Sequence, residues 1–150
     1  MLYALLKTLH VFGVLLWVGG MLFAHMFVRP SLAVLAPPQR LALMREVLRR
    51  FFAAVALAVL AVLASGLAML HLALRAPGFA WPAGWVAMTV LGVLMTVIFG
   101  YIRVVLHRRF IAALGVGDAA TAAAALARVR AWVGANLAIG LVVIASVLLL

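Results

Sequence analysis

Four histidines, His10, His25, His71 and His107, are the residues of this chain best suited to chemistry. A neutral imidazole offers a lone pair that suits both copper and heme iron. Methionines stand near three of them in depth or sequence. Met69 lies two residues before His71, Met1 falls at the same level, and Met21 and Met26 flank His25. Thioethers are soft ligands for Cu(I), although methionine is more often core filler. There is no cysteine, which excludes disulfides, thiolate metal sites, iron–sulfur clusters and covalently attached heme. The only acids, Glu46 and Asp118, lie in arginine-rich connections. A carboxylate relay inside a span and a Ser-His-Asp arrangement are therefore both ruled out.

The segment that must position His10 runs from Leu2 to Val28. At about 1.5 Å per helical residue it is long enough to cross a bilayer. His10, Gly13, Trp17, Gly20 and Ala24 share one helical face. Small residues on a stripe let a second helix approach closely, so His10 is predicted to point into a bundle. An ionisable group facing such an interior is a functional-site hypothesis by default. Its competing role is helix-to-helix hydrogen bonding. Trp17 reads as packing or as a surface for a porphyrin. His25 and His107 also read as side chains snorkelling beside Arg29 and Arg108. Arg103 reads as a solvated helix end or a partner for a propionate or phosphate.

The rest of the chain follows the same apolar pattern. Hydrophobic residues make up 71% of the 150, a share that only an integral membrane protein carries. Spans are expected at about 2–28, 51–74, 85–107 and 132–150, forming one domain. The first helix is expected to stop at Arg29-Pro30. Residues 39–50 read as an amphipathic start to the second helix. In the third, Thr89, Gly92, Thr96, Gly100, Arg103 and His107 form a small or polar stripe. In the fourth, Asp118 is a natural N-cap. There Trp132, Asn136 and Gly140 are predicted to face inward together. The first block reads as a retained span, because Lys7 sits inside it and no small-x-small site precedes a soluble domain.

The net charge of +10 comes without an aromatic-basic platform, which excludes nucleic acid. The arginines lie mostly in the 29–50 and 103–130 connections. The positive-inside rule puts both in the cytoplasm and both termini outside. The expected architecture is an antiparallel four-helix transmembrane bundle, all-α, with lipid as its surroundings. His10 and His71 then lie toward the outer face, and His25 and His107 toward the cytoplasmic face. Each pair sits at one depth, where a bundle core can hold a cofactor. His10 and His71 are the first candidate ligands for a metal or heme. His25, His107 and Met26 make a second candidate site. Trp17, Gly13, Gly20, Met69 and Arg103 stand in support.

His10 followed after seven residues by Trp17-Val18-Gly19-Gly20, and then by Phe27-Val28-Arg29-Pro30, resembles the first helix of the CopD-like bacterial inner-membrane family. The resemblance implies copper resistance or uptake in a multi-pass inner-membrane protein. The length and four spans are also similar to the HemJ-type protoporphyrinogen oxidases, which bind heme. That branch carries an arginine where this chain has Met26 and a lysine where it has Thr89. Both departures count against oxidase activity. The expected function is copper binding or transport through intramembrane His and Met residues. The alternatives are a b-type heme redox protein and a cofactor-free assembly subunit. A homo-oligomer stays open.

Overall fold

The computed structural model describes residues 1–149, so Leu150, the end of the fourth expected span, lies outside the described residues. Among them there is no strand. Four helices are long and apolar enough to cross a membrane: α1 Leu2–Val34, α2 Pro37–Leu74, α3 Ala83–Gly115 and α4 Ala119–Leu149.

α1 and α3 run past the bounds their sequence suggested, whereas α2 and α4 keep the expected ends at Leu74 and Ala119. α1 continues through Pro30 instead of stopping there. A proline inside a helix removes a hydrogen-bond donor and crowds the preceding turn. α1 meets this by widening to π geometry over Ala24–Val28, just before Arg29–Ser31. It widens once before, over Leu15–Gly19, and α3 does so over Ile102–Leu106. A tight last turn over Leu32–Val34 ends α1. Ala36 is extended, as a residue before proline must be. Arg40 then reaches back, donating to the carbonyls of Leu35 at 2.7 Å and Ala33 at 3.0 Å. A cation on the last carbonyls of a helix closes this connection. At the α3–α4 connection, Gly117 takes a φ of +74°, which glycine adopts without steric cost. Asp118 accepts the Thr121 amide at 2.9 Å, as an N-cap does.

The helices pack as two antiparallel hairpins, α1 with α2 and α3 with α4, joined where α4 meets α1 and α2. α1 and α2 touch backbone to backbone. A methyl on Gly13 would lie 2.6 Å from Val62 Cγ2 and 3.2 Å from the Ala58 carbonyl oxygen. One on Gly20 would lie 2.7 Å from the Phe51 ring. The small-residue stripe of α1 is thus its seam with α2. Trp17 packs edge-on to Phe99, which packs on Phe52, which packs on His107, with ring centroids 6.2, 6.1 and 5.1 Å apart. This aromatic file joins α1, α2 and α3 at the centre. Outward, Leu57, Leu60 and Leu67 are exposed, as side chains facing lipid are.

The two ends differ in charge. Ten of the twelve basic residues lie at the end holding the α1–α2 and α3–α4 connections, leaving Lys7 and Arg75 at the other. His10 and His71 share the sparsely charged end, and His25 and His107 the basic one.

Candidate metal-handling site

His10 sits half-buried in the α1–α2 seam. Its Nδ1 lies 3.0 Å from the Val62 carbonyl oxygen and 3.2 Å from Ser65 Oγ. A carbonyl only accepts, so Nδ1 carries the proton and donates it. Nε2 is left with its lone pair. Ser65 donates its own hydroxyl proton to the Ala61 carbonyl, which leaves its oxygen free to accept from the imidazole. Gly66 makes the room. A methyl there would stand 3.2 Å from His10 Cε1. Met69 lies one turn further along α2 from Gly66.

Ser65 and Gly66 did not emerge from the sequence as site residues. Their signal was a small polar pair inside an otherwise apolar helix.

His71 shares an end with His10 but is exposed. It lies nine residues past Val62, roughly 13 Å along the axis. No hydrogen bond or ring contact joins the two histidines. Trp17 is 4% exposed and packs against Phe99, as a core side chain does.

No hydrogen bond or ring contact joins His25 to His107 either. His25 lies in the Ala24–Val28 widening and rests on Gly134 of α4, where a methyl would stand 3.1 Å from Cε1. Met26 points away and is exposed. His107 is buried, directly after the Ile102–Leu106 widening. Arg103 Nη1 lies 3.4 Å from its Nδ1. A guanidinium only donates, so here Nδ1 holds the lone pair and the neutral ring carries its proton on Nε2. That Nε2 has no partner. The two histidines therefore present opposite faces. His10 has a free lone pair, whereas His107 has its lone pair engaged and an unpaired donor. Arg103 is exposed but lies within the Ile102–Leu106 widening, inside α3 and not at the helix end its sequence suggested, because α3 continues to Gly115.

Other polar groups are spoken for locally. Thr89 and Thr96 bond back to the Trp85 and Gly92 carbonyls of α3. A methyl on Gly92 or Gly100 would meet nothing, so that stripe is no tight seam. On α4, Asn136 and Gly140 are buried, but Trp132 is exposed and stacks its edge on Tyr101 at 5.2 Å. This corrects its inward placement. The amphipathic indole takes the interface, while the small and amide side chains take the core. Asn136 Oδ1 is buried without a partner. Glu46 accepts from Arg49 and Arg50, and those bonds pull its carboxyl down to about 2. The Thr121 bonds hold the Asp118 carboxyl below its ordinary value. Among the described residues, no three His, Cys, Asp or Glu side chains gather as a metal-binding group.

A family model described as CopD, copper resistance protein D, matches residues 45–150. The match takes in most of α2 and all of α3 and α4. It begins after α1, and so is independent of the His10–Trp17 pattern. No curated protein and no solved structure matches the chain.

Proposed function

We propose a copper function for this chain from one premise: it belongs to the copper resistance protein D family. That membership and the four spanning helices relate it to copper resistance at a membrane. The finer reading is that it binds copper inside the bundle and passes it across, with His10 as the principal ligand through Nε2.

One observation carries this reading. His10 donates Nδ1–H to the Val62 carbonyl and keeps the Nε2 lone pair free. Metal-ligating histidines are held in this way, with the second nitrogen donating to a carbonyl or carboxylate that fixes tautomer and ring orientation. Imidazole and thioether together suit Cu(I). Met69, one turn from Gly66, supplies the thioether, and His71 stands at the same end for capture from solution. His25 on the same helix receives the ion at the basic end. By the positive-inside rule that end is cytoplasmic and both termini lie outside, and the resemblance of α1 to a bacterial inner-membrane family implies which membrane it is.

The test is copper accumulation in cells that carry the wild-type chain, His10→Ala or neither. We expect the wild type to change cell copper and His10→Ala to match cells without the protein. Equal copper in all three would overturn the reading.

A further inference from the structure

The basic end holds a second feature that the copper reading leaves unused. His25 of α1 rests on Gly134 of α4, and the two helices run antiparallel. One turn onward in α1 is Arg29, and one turn back in α4 is Arg130. The register places Arg29 opposite Arg130, near enough for the Arg29 charge to act on Arg130 beside the effect of its burial. Like charges so placed repel, yet neither has an acidic partner. Glu46 is the sole acid in an ion pair among the described residues, and it serves Arg49 and Arg50. Asp118 caps α4 at Thr121. Arg130 is half-buried while Arg29 is exposed, so the pair flanks the α1–α4 seam with one sheltered and one open cation.

A second observation gives its depth. Trp132 and Tyr101 are both exposed, with their rings 5.2 Å apart. Paired amphipathic rings of this kind mark the level of the headgroups. Arg130 lies two residues beyond Trp132 toward the helix start, about 3 Å further out. Phospholipid phosphates lie at that level. Exposed Phe23 and Phe27 line the α1 side just below Arg29, where acyl chains would run.

We propose that Arg29 and Arg130 form a two-guanidinium clamp for the phosphate of an anionic phospholipid at the α1–α4 seam. Guanidinium forks bind phosphate through charge-assisted, often bidentate hydrogen bonds. The bound phosphate relieves the repulsion between the two cations and ties α1 to α4. The site differs from the general basic field of this end. Arg109 and Arg128 also flank one groove between α3 and α4, but Asp118 lines it with them and supplies negative charge.

The test uses the full-length protein, purified and delipidated in detergent. Native mass spectrometry measures its binding of phosphatidylglycerol and of phosphatidylcholine. We expect phosphatidylglycerol to bind preferentially, R29Q/R130Q to weaken it by about tenfold or more, and R109Q/R128Q to leave it within about twofold. Inorganic phosphate at equal concentration should not compete. Equal losses in both double variants, no preference between the lipids, or displacement by inorganic phosphate would each overturn the clamp. If the double variant does not fold, R29Q alone, at an exposed position, carries the same comparison.

Discussion

His10 shows how one backbone contact can decide what a histidine does. Its ring donates to Val62 and keeps a lone pair, while that of His107 accepts from Arg103 and keeps a proton. The type of residue was legible in the sequence, and so was the inward face of His10. The tautomer was not, because it depends on a carbonyl 52 positions away. The cradle yields a prediction of its own. Gly66→Val places branched carbons where the His10 ring now lies, so copper retention should fall nearly as far as in His10→Ala. Ser65→Ala should cost less than tenfold, because the Val62 carbonyl still fixes Nδ1; losing outright the hydrogen-bond partner that orients a metal ligand costs about 10–100-fold. Copper titrations of the three purified variants check this order. A Gly66→Val protein with wild-type affinity would mean that the ring orientation does not matter to binding.

Among the helices, the α1–α2 seam was the most legible element. The stripe of Gly13 and Gly20 predicted a close neighbour, and α2 supplies it through Val62, Ala58 and Phe51. The end of α1 was less so. Arg29-Pro30 read as a stop, but the π widening over Ala24–Val28 absorbs the proline, and periodicity alone does not reveal a change in hydrogen-bond step. Trp132 read as core because it shares a face with Asn136, yet an indole at a membrane boundary gains more from the interface. The seam can be tested with neighbouring glycines. Gly20→Leu overpacks against Phe51 and should cost about 1–3 kcal/mol, whereas Gly19→Leu, with nothing within 4 Å of an added methyl, should leave stability nearly unchanged. Thermal unfolding in detergent separates them. Equal melting of both variants would mean that the seam is looser than its distances indicate.

At the scale of the whole molecule, the four spans and the all-helical class were legible because lipid demands long apolar helices with every backbone group paired. The pairing into two hairpins was not legible, because the connections at 30–37 and 75–84 read as similarly short; packing chooses α1 with α2 and α3 with α4. What composition could not convey was the depth of each side chain within the bundle, which set His10 apart from the exposed His71. The charge asymmetry between the ends predicts orientation. A reporter fused to the C-terminus should register outside the cytoplasm, and cytoplasmic activity there would exchange the faces of all four histidines. The most direct measurement is the copper content of the purified protein beside that of His10→Ala, after loading both with Cu(I) in the same detergent. We expect bound copper in the wild type and its loss in His10→Ala, with insertion in the membrane unchanged, since insertion follows hydrophobicity and not one histidine. Full copper retention by His10→Ala, or none above background in the wild type, would contradict it.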